Sequence, residues 1–182
     1  METRHKILTV EALKKKIARA REEGLKIAFT NGCFDILHYG HVSYLQRAKT
    51  QNRVLVVGLN SDQSVRRIKG KDRPINGQKE RAFVLAALQC VDFVTIFEED
   101  TPLKLIEKIK PDILIKGADW KGKEVVGSEV VKKNGGKVEF VKYMSGYSTT
   151  SLIEKMQSPH PNPLPKGEGS FLNSSPLGRG LG

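Results

Sequence analysis

Short apolar segments alternate along the chain with longer segments in which apolar residues recur at helical spacing. The short segments are continuous runs of Val, Ile and Leu, typical of buried parallel strands, whereas the longer ones predict amphipathic helices. The predicted strands are 26–30, 53–59, 92–97, 112–116 and 137–142. The predicted helices are 9–23, 41–51, 62–68, 77–90, 101–109, 127–134 and 149–156. This alternation predicts an α/β fold with a doubly wound, mostly parallel five-stranded sheet, which binds ligands outside the carboxyl ends of its strands.

Composition divides the chain into three parts. Residues 1–24 are predicted to form a helical N-terminal extension, which Thr9 caps and Gly24 ends. Residues 25–156 carry all the predicted strands and the remaining helices. Residues 157–182 are rich in Pro, Gly and Ser without apolar periodicity, which predicts a disordered tail.

The overall composition is that of a globular protein. The 182 residues are 38% hydrophobic and 28% charged, and a core of this length buries a sizeable interior. No apolar run approaches the roughly 20 residues that cross a bilayer, and the N-terminus lacks the apolar core of a secretory signal. We therefore expect a cytoplasmic protein with no membrane partner. Cys33 and Cys90 have no metal-like spacing and are expected to be free thiols.

The net charge of +11 leaves three kinds of partner open. Nucleic acid, a polyanionic small molecule and a plain lysine-rich surface are each consistent with it. The lysines are scattered over helical segments, and aromatic residues make up 7% of the chain, too few for a base-stacking platform. We expect no nucleic-acid partner, and a basic nucleic-acid-binding module is the alternative from a different class.

The loop after the first predicted strand carries the first candidate site. His38 and His41 are spaced to face the same way on a helix, and Gly40 lets a phosphate approach the backbone. A helix N-terminus beside the carboxyl end of a strand offers unpaired N–H groups and partial positive charge, which suits phosphate. A structural histidine pair and a metal site are the alternatives, although only Cys33 and Asp35 lie nearby as further ligands.

A strongly basic segment follows the second predicted strand. Five cations lie within residues 66–73, and Gly70 and Pro74 interrupt the helix there. Such a loop neutralises phosphate and closes over a site, or is simply a solvated basic surface. Arg81, on the next predicted helix, either reaches a phosphate or makes an ordinary ion pair.

Two further segments lie at the end of a predicted strand or the start of a predicted helix, where α/β proteins build their sites. Residues 116–120 (KGADW) follow a predicted strand, so that Asp119 or Trp120 lines a base or sugar pocket, or Trp120 only packs. Ser148, Thr149 and Thr150 open the last predicted helix, where hydroxyls either cap the helix or hold phosphate.

The motifs in combination resemble a known family. The chain has neither a GxxxxGK[ST] loop nor a GxGxxG fingerprint. NGCFDILHYGH at residues 31–41, the Lys69/Lys71 loop, the KGADW segment and the late STT resemble the cytidylyltransferase-like nucleotidyltransferases. Residues 58–102 and LIKGADW are most similar to D-glycero-β-D-manno-heptose 1-phosphate adenylyltransferases. The resemblance covers about residues 10–156 and implies a Rossmann-like nucleotidyltransferase fold.

The resemblance implies a role for each candidate. His38, His41 and Lys71 would be catalytic, and Arg73 and Arg81 would hold the substrate phosphate. Mg²⁺ is expected with ATP. Asp35 is the most plausible nearby carboxylate to contact it, and the alternative role of Asp35 is to orient the loop. No protein ligand to the metal is therefore assigned. The implied nucleotide-binding residues are Cys33, Phe34, Asp35, Gly40, Lys69, Lys116, Gly117, Asp119, Trp120, Ser148, Thr149 and Thr150.

The implied reaction is transfer of AMP from ATP to a sugar 1-phosphate, D-glycero-β-D-manno-heptose 1-phosphate, to give ADP-heptose in lipopolysaccharide biosynthesis. A cytidylyltransferase acting on glycerol 3-phosphate and a nucleotide sensor without turnover are alternatives. We expect the stand-alone form, without a preceding kinase domain, and a homodimer or higher homo-oligomer. Relatives often carry Arg where this chain has Lys155, and Lys holds phosphate only as a point charge.

Overall fold

The computed structural model describes residues 3–142 and 149–157. Within them, five β-strands alternate with seven α-helices. The strands are β1 (Lys26–Gly32), β2 (Arg53–Asn60), β3 (Phe93–Phe97), β4 (Ile113–Gly117) and β5 (Lys137–Val141). The helices are α1 (Val10–Glu22), α2 (Tyr39–Ala48), α3 (Asp62–Lys69), α4 (Gln78–Ala87), α5 (Leu103–Ile109), α6 (Ser128–Lys133) and α7 (Thr149–Gln157).

The strands form one parallel sheet in the order β3-β2-β1-β4-β5. The predicted doubly wound α/β class is therefore confirmed, and all the strand pairings are parallel. From β1 the chain continues to β2 on one side, whereas from β4 it continues to β5 on the other. The strand order thus reverses between β1 and β4, and this switch point is where open α/β sheets bind ligands.

Each face of the sheet has its own apolar core. On one face, α2 and α4 contribute buried residues such as Tyr44, Leu45 and Leu85. On the other face, the buried residues come from α1, α5 and α6 and include Leu13 and Ile106. Both faces are covered, which explains why the strand sequences are continuously apolar rather than alternating.

The helix boundaries follow from capping contacts that the apolar pattern does not contain. Thr9 caps α1 by accepting a hydrogen bond from the Ala12 N–H at 3.3 Å, as the sequence predicts. Helix α2 begins at Tyr39 rather than at residue 41, because His38 caps it. Gly70 ends α3 with a φ of 102°, a conformation that favours glycine.

The chain divides into two units between Thr149 and Thr150. The first unit contains the sheet and helices α1 to α6; the described part of the second runs from Thr150 to Gln157 of α7. The predicted boundaries at residues 24 and 156 stay predictions, and the tail from residue 158 lies outside the described residues. None of the helices that the described residues form is long and apolar enough to cross a membrane.

Candidate functional site

Two stacked imidazoles lie at the N-terminus of α2. The ring centroids of His38 and His41 are 3.8 Å apart with planes inclined by 24°. Nδ1 of His38 accepts the backbone N–H of His41 at 3.4 Å, which satisfies one of the unpaired donors of the first turn. Because Nδ1 is an acceptor here, a neutral His38 ring carries its proton on Nε2, which is then a donor.

Both imidazoles are neutral at pH 7. Burial lowers the pKa of His38. Burial, with a smaller contribution from His38, lowers the pKa of His41 to about 4, and the neighbouring Ile36 carbonyl opposes this shift. Neutral imidazoles donate hydrogen bonds without carrying charge in the free protein, and an incoming polyanion would raise their pKa values.

The shifted pKa of His41 predicts a pH-dependent stability. Its pKa is about 4 in the folded chain against 6.5 for the unperturbed group, so the unfolded chain binds the proton first as the pH falls through this range. Between pH 7.5 and pH 5, we expect the unfolding free energy of the wild type to fall by about 2 kcal/mol more than that of His41→Gln. Urea unfolding at the two pH values measures this, and equal losses would contradict it.

The loop that leads from β1 to these histidines approaches its own helix closely. Phe34 adopts a left-handed conformation with a φ of 44°, and its buried ring lies 5.1 Å from the ring of His41. Cys33 and Cys90 are free thiols, as predicted. Burial raises the pKa of Cys33, which disfavours the thiolate that a nucleophile needs.

Asp35 fastens the end of the basic segment to this loop. Asp35 is 3% exposed, and its carboxylate accepts the backbone N–H groups of Ile75 at 2.7 Å and Asn76 at 3.1 Å. Nε of Arg73 donates to the other carboxylate oxygen. These contacts correspond to the loop-orienting role considered for Asp35, and they leave Arg73 held by an ion pair.

Arg81 links three segments of the chain through hydrogen bonds of its side chain. Arg81 is 2% exposed, and its guanidinium makes four hydrogen bonds to protein acceptors. They are the carbonyl oxygens of Asn76 at 3.0 Å, Cys33, and Asn60 at 3.0 Å, and the carboxylate of Asp62 at 2.8 Å. This geometry is that of the ion-pair alternative, and a contact of Arg81 with substrate phosphate stays a prediction.

The rest of the basic segment is exposed. Lys69, at the end of α3, is near enough to Cys33 for its charge to favour the thiolate. Arg67 is not free, since it pairs with Asp100 at 2.6 Å. Lys71 is exposed on the loop after α3, and its catalytic role stays a prediction.

A second group of candidates surrounds the end of β4. Nζ of Lys116 donates to Oδ1 of Asn31 at 2.6 Å and lies 5.4 Å from the ring centre of Trp120. Burial lowers the pKa of Lys116 to about 8, and the charge of Asp119 opposes this shift. Gly117 ends β4 and precedes a 3₁₀ helix, Ala118–Trp120, which the sequence did not predict.

The late hydroxyls are described only in part. The Thr149 hydroxyl donates to the carbonyl oxygen of Ile36 at 3.4 Å, so it lies beside the histidine loop. Ser148 lies outside the described residues. Thr150 is exposed and belongs, like Lys155, to the second unit, so their predicted roles stay predictions.

The structure therefore brings together the loop at residues 33–41, Lys69, Arg73, Arg81 and Thr149, and beside the end of β1 it adds Lys116. Sequence reasoning missed Asn31, Asn60 and Asn76, which contact this region through hydrogen bonds. The available signal was position, because Asn31 and Asn60 are polar residues at the carboxyl ends of apolar strands.

A helix N-terminus with paired imidazoles, at the switch point of a parallel sheet, is the architecture of a nucleotide-binding α/β enzyme of the nucleotidyltransferase class. Residues 29–155 match the profile of the family described as Cytidylyltransferase-like, and the chain belongs to this family. The family expected from the motifs is thus confirmed.

Individual relatives agree with this assignment. The chain is 55% identical over 153 residues to the bifunctional protein HldE of Geotalea uraniireducens, and 54% identical over 159 residues to that of Helicobacter pylori strain J99. The matches cover 84% and 87% of this chain but 31% and 33% of those proteins, so the chain spans about a third of their length.

Two solved structures share the fold. The lipopolysaccharide core biosynthesis protein of Thermoplasma volcanium GSS1 matches with a TM-score of 0.55 and 34% identity, over 69% of this chain and all of that one. Pantoate-beta-alanine ligase of Francisella tularensis matches with a TM-score of 0.53 and 18% identity, over 81% of this chain and 75% of that one. The second match supports the fold alone.

Proposed function

We propose that this chain transfers the adenylyl group of ATP to D-glycero-β-D-manno-heptose 1-phosphate and releases pyrophosphate. The observation that carries the proposal is the stacked, neutral pair His38 and His41 at the N-terminus of α2, beside the carboxyl end of β1. The choice of sugar rests on the similarity to HldE proteins and to a lipopolysaccharide core biosynthesis protein, and on the resemblance of the KGADW and basic segments to heptose 1-phosphate adenylyltransferases.

The chemistry requires little proton transfer from the protein. An oxygen of the sugar phosphate attacks the α-phosphorus of ATP, and the bond to the β-phosphate bridging oxygen breaks, so that the electron pair leaves with pyrophosphate. A phosphate monoester has a second pKa of about 6, so the attacking oxygen is already ionised at neutral pH. The protein therefore acts by positioning the reactants and stabilising charge.

The described residues supply donors for this purpose. Nε2–H of His38 and the ring of His41 donate to the oxygens around the α-phosphorus, whose charge grows in the transition state. The first-turn N–H groups of α2 add partial positive charge. Lys69 and Lys71, exposed on the adjoining basic segment, neutralise the phosphates of the two substrates. The Thr149 hydroxyl donates to the Ile36 carbonyl oxygen and thereby stabilises the histidine loop.

Mg²⁺ would accompany the nucleotide rather than reside in the protein. In the part of the chain that the structure describes, no group of three or more His, Cys, Asp or Glu side chains could hold a metal ion. The Asp35 carboxylate already accepts three N–H donors, including an arginine, which makes it a poor ligand. Bound to the phosphates, Mg²⁺ would offset their negative charge. The cytoplasmic location and the homo-oligomer stay predictions.

A substrate screen tests the proposal. ATP, CTP, GTP and UTP are each combined with heptose 1-phosphate and with glycerol 3-phosphate, and pyrophosphate release is measured. We expect ATP with heptose 1-phosphate to exceed every other pair in kcat/KM by about 100-fold or more. Turnover of CTP with glycerol 3-phosphate would instead identify a cytidylyltransferase. ATP binding without turnover would identify a sensor, and salt-sensitive DNA or RNA binding without turnover a nucleic-acid-binding module.

A further inference from the structure

Asn31 and Lys116 lie side by side at the ligand-binding edge of the sheet. Strands β1 and β4 pair in parallel with Ala28 opposite Ile113 and Phe29 opposite Leu114. Two residues further along both strands, the same register brings Asn31 and Lys116 opposite each other, at the switch point. Their side chains meet in a hydrogen bond of 2.6 Å between Nζ of Lys116 and Oδ1 of Asn31.

This hydrogen bond fixes the orientation of the Asn31 amide. A lysine ammonium has three donors and no acceptor, so only the amide oxygen can face it. The amide NH₂ group must therefore point away from Lys116. An asparagine in water would turn freely between its two orientations, whereas this one presents a defined donor.

The NH₂ group of Asn31 has no hydrogen-bond acceptor among the described residues, and Asn31 is half-buried rather than buried. Trp120, which is 40% exposed, and Asp119 lie on the neighbouring 3₁₀ helix next to Lys116. The Asn31 NH₂ donor, the Lys116 ammonium and the partly exposed Trp120 indole thus lie together at the edge where the fold binds ligands.

We infer that Asn31 is a substrate-binding residue, which Lys116 orients so that its amide NH₂ donates to an oxygen of a bound substrate. The partner is a phosphoryl or hydroxyl oxygen, and either the nucleotide or the phosphorylated acceptor supplies it. The inference rests on the proposed function in taking these two molecules as substrates. It does not depend on which base or which sugar they carry.

The isosteric change Asn31→Asp separates this role from a structural one. The carboxylate still accepts from Lys116, but the donor to the substrate is replaced by an oxygen that repels it. We expect the KM of one substrate to rise about 10–100-fold, the size of a lost hydrogen bond to a charged group together with repulsion. The urea midpoint should stay the same or rise, because a neutral acceptor for the ammonium becomes a charged one.

The assay uses the nucleotide and acceptor that the wild type turns over fastest in the substrate screen, so a wrong substrate assignment does not affect it. A higher KM for the nucleotide places the oxygen on the nucleotide, and a higher KM for the acceptor places it on the acceptor. The matched control is Asn52→Asp, the same change at the exposed amino end of β2, for which neither KM should change. Unchanged KM values in Asn31→Asp would overturn the inference.

Lys116 provides a second variant and a second readout. Lys116→Met removes the orienting donor and should raise the same KM by a smaller factor. The double variant should have the KM of Asn31→Asp, with no further rise. An unchanged KM in Lys116→Met would overturn the inference.

The pH dependence of KM is the second readout. Burial lowers the pKa of Lys116 to about 8, and the charge of Asp119 opposes this shift. The Tyr44 phenol, near Asp119, stays protonated because burial raises its pKa. The wild-type KM should therefore rise above pH 8, when neutral Lys116 can also accept. This rise should be absent in Asn31→Asp, which has no amide to reorient and whose carboxylate keeps Lys116 charged.

Discussion

Replacing His41 by alanine is expected to lower kcat about 10²–10³-fold, the scale of removing one preorganised donor from a transition state. The ring lies at the N-terminus of α2, stacked at 3.8 Å on His38, and it is neutral because burial lowers its pKa to about 4. An interaction that forms mainly in the transition state changes kcat more than KM. Steady-state kinetics with ATP and heptose 1-phosphate measure both constants.

His38→Asn distinguishes catalysis from helix capping. Asparagine is a preferred N-cap residue, so it replaces the contact between Nδ1 of His38 and the His41 N–H while removing the imidazole. We expect a similar loss of kcat with a change in unfolding free energy within about 0.5 kcal/mol. Gln46→Ala, at an exposed position of the same helix, is the control and should keep wild-type kinetics. Full activity in both histidine variants would refute the proposed mechanism.

Arg81→Met is expected to lower the unfolding free energy by about 3–5 kcal/mol. The buried guanidinium makes four hydrogen bonds, and methionine fills a similar volume without a donor. The Asp62 carboxylate and three carbonyl oxygens, among them that of Cys33, then lose their partner, and buried acceptors left unpaired are costly. Urea unfolding of the purified variant measures the loss.

The control for Arg81→Met is Arg67→Met, another arginine paired with an aspartate. Arg67 and Asp100 are both about half exposed, with side-chain exposures of 47% and 55%. An exposed pair of this kind contributes about 0–1 kcal/mol, so we expect a change of no more than that. A similar loss of unfolding free energy in the two variants would show that the buried hydrogen bonds of Arg81 stabilise the fold no more than an exposed ion pair does.

Most of the secondary structure could be predicted because the buried positions of strands and helices are apolar, and their spacing indicates the type of element. The predicted strand at 53–59 corresponds to β2, Arg53–Asn60, and the one at 137–142 to β5, Lys137–Val141. Both ends of α2 differ by two or three residues from the predicted 41–51. The start differs because His38 caps the helix, and this contact depends on a side-chain conformation rather than on hydropathy.

The contacts within the candidate site could be predicted most directly where its residues are close in the sequence. His38 and His41 are three residues apart, so helical spacing alone brings them together. The resemblance implies a phosphate contact for Arg73 and Arg81, with an ordinary ion pair as the alternative for Arg81. The structure gives both of them protein acceptors, since Asp35 and the carbonyl ends of β1 and β2 converge on them from distant positions. Their contact with substrate phosphate stays a prediction.

The amino-acid sequence by itself determined the α/β class, the parallel character of the strands and the histidine loop, because each follows from local periodicity or short spacing. Only the tertiary structure decided which polar groups are already paired. It joined Asp35 to Arg73 across 38 positions and Asn31 to Lys116 across 85. The physical reason is that parallel strands bring their carboxyl ends to one edge irrespective of chain separation, so residues there pair by strand order and register.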